Sequence, residues 1–219
     1  AAEQVAAGPS IRAVVLHGEG KSFCSLNLAM SIAMEMDHTV LLVDADVAKP
    51  SIPRMLGIEG GLGLMDVLLE DNLPISQALI RTNIDKLKLL TAGRHHPNAT
   101  ELLASGAMRD LLDEMSNRYS DRIIIFDSPP LLATTEWAVL ASQMCQVIVV
   151  VEAGKTTQQS LREGLHHIEA CETVSLLLNK TRFKAESGYY AYGYGYGYGY
   201  GYGYGYGAES AAKEPAAQP

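Results

Sequence analysis

At 219 residues, with 47% apolar and 19% charged side chains, the chain can bury the core of one ordinary α/β domain, and wholesale disorder is excluded. A net charge of −8 argues against non-specific nucleic-acid binding as the main task, and no apolar run approaches the roughly 18 residues a membrane helix needs. Three cysteines (Cys24, Cys145, Cys171) in no close pairing, with no signal-peptide pattern in residues 1–10, lead us to expect a cytoplasmic protein.

The first predicted strand, 11–16, opens a series in which short β-branched runs alternate with amphipathic stretches. Further strands are expected at 40–43, 87–90, 123–126, 147–151 and 174–178, most of them continuously apolar, as suits parallel strands buried on both faces. Helices are expected at 22–36, where Phe23, Leu26, Met30 and Ala33 fall at helical spacing, at 101–115 and at 157–171. This alternation predicts a doubly wound, mostly parallel sheet with helices on both faces, and ligands beyond the carboxyl ends of its strands.

Between the first strand and its helix stands Gly18-Glu19-Gly20-Lys21-Ser22. Glycines there let backbone N–H groups converge on phosphate oxygens at a positive helix N-terminus, with Lys21 reaching outer phosphates and the Ser22 hydroxyl on Mg²⁺. The same five residues also suit a helix-capping glycine turn, but their place between strand and helix favours the phosphate loop. Val15 stands where the full GxxxxGK[ST] pattern has a small residue, and its branched side chain predicts strain where the loop begins.

The second strand runs out into Asp44-Ala45-Asp46, and the strand at 123–126 into Asp127-Ser128-Pro129-Pro130. A lone Asp in such a place caps a turn. Two such clusters beside a phosphate loop deliver carboxylates to the edge where a nucleotide's metal lies.

The tyrosine count is the one misleading value in the composition. Of 11 tyrosines, ten lie between 189 and 206 in a Tyr-Gly alternation, followed by an Ala/Glu/Pro stretch. Glycine at every second position weakens a strand and packs nothing, so the segment is read as an exposed, low-complexity tail. The expected organisation is a short remnant at 1–10, a P-loop domain at 11–184 and a flexible tail at 185–219.

Taken together, the motifs at 18–22, at Asp44-Ala45-Asp46 with Lys49-Pro50, and at 126–130 resemble the Walker A, A′ and B motifs of the bacterial tyrosine kinases. Leu178-Asn179-Lys180 and the terminal tyrosine cluster extend the likeness, and the Tyr-Gly form is similar to autokinases of exosortase and exopolysaccharide loci. The resemblance implies an ATP- and Mg²⁺-dependent tyrosine autokinase of ParA/MinD-like fold that regulates exopolysaccharide synthesis and export. It implies that Gly18, Glu19, Gly20, Lys21, Ser22 and Phe23 cradle the nucleotide phosphates, with Asn179 and Lys180 near the adenine. Lys21, Asp44 and Asp46 would be catalytic, the two carboxylates orienting or deprotonating the incoming tyrosine, while Ser22, Asp46 and Asp127 would hold the metal. The phosphoacceptors would be Tyr189, Tyr190, Tyr192, Tyr194, Tyr196, Tyr198, Tyr200, Tyr202, Tyr204 and Tyr206.

As partners the resemblance implies further copies of the chain, a membrane-bound activator or polysaccharide co-polymerase holding it at the inner face of the membrane, and a tyrosine phosphatase. The family's upstream assembly segment is expected to be missing. Two rival readings stand beside this one. A ParA/MinD-like positioning ATPase would carry a signature lysine where this chain has Leu16, and a nucleotide-binding regulator would lack kinase activity.

Overall fold

A computed structural model describes residues 20–70, 72–118, 122–129, 141, 144–169 and 171–181, together with the backbone of 12–16. The chain divides into one unit ending at Thr181 and a second at 182–219, which lies outside the described residues.

Among the described residues the strands are β1 (Arg12–Leu16), β2 (Thr39–Asp44), β3 (Leu79–Arg81), β4 (Leu87–Leu90), β5 (Arg122–Asp127), β6 (Gln146–Glu152) and β7 (Val174–Asn179). They form one sheet in the order β3-β4-β2-β5-β1-β6-β7, parallel except for β3. The described helices are α1 (Lys21–Ala33), α2 (Ile52–Leu56), α3 (Leu64–Leu69), α4 (Ile75–Ala78), α5 (Ala99–Leu103), α6 (Gly106–Arg118) and α7 (Gln158–His166).

Alternate residues of the central strands feed two separate cores, which is why these strands read as unbroken apolar runs. Leu41, Val43, Ile124 and Phe126 face Leu103, Met108 and Leu112 of α5 and α6. Val40, Leu42, Ile123 and Ile125 face Leu26, Ala29 and Ala33 of α1 and Ile52 of α2. The predicted doubly wound sheet is therefore the observed one.

Three points of local structure differ from expectation. The helix expected at 101–115 is two helices, because the Ser105 hydroxyl accepts the Met108 N–H at 3.3 Å and starts α6 afresh. Strand β3, antiparallel at the sheet edge, was not foreseen. Val15 lies within β1, in register with Asp127 on one side and Ile148 on the other. The loop entry where strain was expected, residues 17–19, lies outside the described residues.

The last correction concerns α1. Its buried residues are Lys21, Ser22, Ser25, Leu26, Ala29 and Ala33, whereas Phe23 is 60% exposed and Met30 36%. Polar residues that turn toward the strand ends share the buried face, and this rotates Phe23 and Met30 outward.

Candidate active site

Strands β2 and β5 lie side by side and end together, with Asp44 opposite Asp127 in the register. The chain leaving β2 stays attached to β5, since the Ala45 N–H donates to the Asp127 carbonyl at 2.8 Å. Strand β1 lies on the other side of β5, so α1, the next element in the chain, begins beside the same edge. Three acidic side chains, Asp44, Asp46 and Asp127, are thereby buried at one end of the sheet.

Lys21 reaches into this cluster from the first turn of α1. Its Nζ lies 2.5 Å from Asp46 Oδ2 and also donates to the carbonyl of Ser128. The other oxygen of Asp46 accepts the Lys49 N–H at 3.1 Å. Asp44 Oδ2 accepts the N–H groups of Ser51 and Ile52 at the start of α2, both at 3.2 Å. Asp127 Oδ1 lies 2.9 Å from the Ser25 hydroxyl, which also lies 3.1 Å from the Lys21 carbonyl. Ser25 was missed by the motif reading, and its only sequence signal is a helical turn's spacing from Lys21 and Ser22.

Two carboxylate oxygens here, Asp44 Oδ1 and Asp127 Oδ2, are buried and accept no hydrogen bond. Burial pushes the Asp44 carboxyl up to about 7, reinforced by the charge of Asp127 and, less, of Asp46, against the opposing Ile52 N–H. The Asp127 carboxyl is also raised by burial, held back by the Ser22 hydroxyl, the Lys21 ammonium and the Ser25 hydroxyl. One ammonium cannot neutralise three carboxylates, so the cluster has an unmet demand for positive charge.

Buried carboxylate oxygens of this kind are hard ligands that suit a divalent cation. Among the described residues no three His, Cys, Asp or Glu side chains form a cage for a metal ion. A cation of the magnesium kind is suited to such a place, because it commonly takes one or two protein carboxylates and completes its shell with phosphates and water.

The phosphate loop is described from Gly20 onward, and Gly18 and Glu19 lie outside the described residues. Gly20 caps α1 with φ 88°, a left-handed conformation that glycine adopts without strain. Ser22 is buried in the first turn. A Cβ on Gly20 would lie 3.2 Å from Asn179 Nδ2 and 3.7 Å from Lys180 Cε, so the end of β7 closes over the loop. The structure thus brings together Gly20, Lys21, Asn179 and Lys180 on one side and Asp44, Asp46 and Asp127 on the other. Phe23 points outward at the rim. The ten tyrosines expected as phosphoacceptors lie outside the described residues.

A second arrangement escaped the sequence altogether. Asp66 is buried and accepts N–H groups of Gly63 at 2.8 Å and Arg94 at 3.2 Å on Oδ2, while Arg94 Nε lies 3.1 Å from Oδ1. This clamp fixes the loop that leaves β4, at the same end of the sheet as Asp44, onto the start of α3. The backbones cross so closely that a Cβ on Gly63 would lie 2.3 Å from the Thr91 carbonyl oxygen.

Comparison with known proteins places these features in company. The family model described as ParA, NUBPL iron-transfer P-loop NTPase, matches residues 16–177. The tyrosine-protein kinase YwqD of Bacillus subtilis (strain 168) is 33% identical over 177 residues, covering 79% of this chain and 73% of YwqD. Among solved structures, the VpsO kinase domain is 32% identical with a TM-score of 0.67, covering 76% of this chain and 84% of that domain. The kinase domain of the Escherichia coli tyrosine kinase ETK is 26% identical with a TM-score of 0.74, covering 87% and 74%. Among the described residues no helix is long and apolar enough to cross a membrane.

Proposed function

This chain belongs to the bacterial tyrosine-protein kinases, built on the ParA-like P-loop NTPase fold, and from that premise we propose that it is an ATP-dependent autokinase acting on the tyrosines between 189 and 206. The observation that carries this reading is the convergence of Lys21 with Asp44, Asp46 and Asp127 at one sheet edge, two carboxylate oxygens being left without partners.

Lys21, Ser22 and the N–H groups at the start of α1 would hold the phosphates of ATP, and Ser22, Asp46 and Asp127 would hold Mg²⁺. When bound, the cation supplies charge neutralisation at the transferring phosphoryl group. The remaining work belongs to the protein's own groups. Lys21, parked on Asp46 and the Ser128 carbonyl, is positioned to exchange that carboxylate for phosphate oxygens. Asp44 is fixed through Oδ2 by two backbone amides, which leaves Oδ1 to orient a tyrosine hydroxyl and accept its proton. A phenol of pKa about 10 needs such a partner to attack at neutral pH.

The glycine-spaced tail offers many hydroxyls to one site without unfolding the domain. We further infer that the chain assembles with copies of itself at the inner face of the cell membrane, held there by a membrane-bound activator or polysaccharide co-polymerase. A phosphatase would reset the tail, and the cycle would regulate exopolysaccharide production.

Incubation with γ-labelled ATP and Mg²⁺ tests the central reading, comparing the wild type with Lys21→Met and with a chain ending at Gly188. Label is expected only when Lys21 and the tail are both intact. ATP hydrolysis without labelled protein would instead assign the chain to the partitioning ATPases on the same fold.

A further inference from the structure

We propose that Glu152 is a positioning residue of the nucleotide site, its carboxylate holding Lys180, and through it the Asn179 carboxamide, against Gly20 at the start of α1. The inference rests on the reading of that loop as a nucleotide site.

Glu152 ends β6 directly opposite Asn179, and the ladder continues one step beyond the strands through the Ala153 N–H to the Asn179 carbonyl at 2.9 Å. The Glu152 N–H donates to Thr156 Oγ1 at 3.0 Å, which closes the turn that follows. Its largely buried side chain lies 3.2 Å from Lys180 Nζ through Oε1 and 3.6 Å from Lys155 Nζ through Oε2. One carboxylate therefore gathers two ammonium groups at the rim of the phosphate loop.

Lys180 is where this matters. At φ 55° it is the one non-glycine residue with positive φ among the described residues, a conformation that strains a residue bearing a side chain. Two of its interactions favour that geometry. Its N–H donates to Asn179 Oδ1 at 2.8 Å, and its ammonium is drawn to Glu152. With Oδ1 engaged, the Asn179 amide turns its Nδ2 donor toward Gly20, where a Cβ would lie 3.2 Å away. A donor in that place suits an acceptor on the bound nucleotide. Loss of the carboxylate weakens the hold on Lys180 in this strained geometry, and the Asn179 donor shifts with it.

The direction of the effect separates this role from plain electrostatics. Removing a negative charge beside a polyanion site should by itself tighten binding, whereas loss of positioning weakens it. The whole 219-residue chain is titrated with a fluorescent ATP analogue in Mg²⁺, and its thermal unfolding is followed without nucleotide. Glu152→Gln is expected to weaken binding about fivefold with the unfolding temperature little changed. Lys180→Gly, which adopts positive φ unaided, should remove most of the Glu152→Gln effect when the two are combined. Unchanged or tighter binding in Glu152→Gln, or the same loss in the Lys180→Gly background, would overturn the proposal. A wild-type protein that binds no ATP would overturn the nucleotide-site reading beneath it.

Discussion

Replacing Asp44 with asparagine should make the metal-free protein more stable at alkaline pH, and the structure sets the size of the gain. Asp44 is fully buried, accepts two amides on Oδ2 and has no partner on Oδ1, and its carboxyl is pushed up to about 7. In the unfolded chain the same group titrates near 3.9, so the folded state binds the extra proton between those two values. Stability must then fall as pH rises from about 4 to about 7 and level off above. A shift of about three units at about 1.4 kcal/mol each amounts to roughly 4 kcal/mol for the ionised site, of which about 2.5 kcal/mol accrues between pH 5 and pH 8. Asparagine keeps the shape and an oxygen for the Ser51 and Ile52 amides, and it carries no charge. Urea unfolding in EDTA across that pH range should show Asp44→Asn overtaking the wild type as pH rises. Added Mg²⁺ should narrow the gap by stabilising the wild type. Parallel pH profiles for the two proteins in EDTA would refute the reasoning.

Three further outcomes are expected. Gly63→Ala forces a Cβ against the Thr91 carbonyl and the Gly93 amide nitrogen, both backbone, and should cost about 3 kcal/mol by urea unfolding. Ser25→Ala removes the hydroxyl beside Asp127 Oδ1 and should cost about 1–2 kcal/mol, with a further rise of the Asp127 carboxyl that carbon-detected NMR would follow. Phosphorylation adds about −1.5 to −2 charges per tyrosine to a chain already at −8, and native mass spectrometry should show smaller assemblies after autophosphorylation. An unchanged distribution of oligomers would sink that switch.

What could be seen in the sequence was set by how locally each feature is encoded. The strands ending in Asp44 and Asp127 were legible because an apolar run that stops at a carboxylate states both its burial and its exit point. The α1 face was misjudged because apolar residues alone were counted, and the buried face includes Lys21, Ser22 and Ser25, which turn toward the strand ends. The break at Ser105 was readable in principle as a serine ahead of a glycine, but the apolar spacing on either side concealed it. Nothing local announces β3, three residues ordered by pairing with β4. The Gly63 and Asp66 clamp is beyond sequence reasoning of this kind, since its requirement for glycine comes from backbone brought close by the fold from about residue 91 onward.

Asp66 also shows how a structural carboxylate differs from a functional one in this fold. Asp44, Asp66 and Asp127 are all buried acids, Asp44 and Asp127 at strand ends and Asp66 in the first turn of α3. Asp66 has both oxygens occupied by Gly63 and Arg94, as the cost of burying a charge demands. Asp44 and Asp127 each have one oxygen occupied and one bare, although Lys21 lies within the same cluster and is drawn to Asp46 instead. A fold able to satisfy Asp66 so fully had the means to complete the other two with a nearby hydroxyl or amide. Bare oxygens make ionisation of these two carboxyls costly, and a ligand that brings positive charge to this edge would offset that cost. Binding at this edge is thereby coupled to stability, which is why neutralising Asp44 should strengthen the empty protein and weaken its response to Mg²⁺.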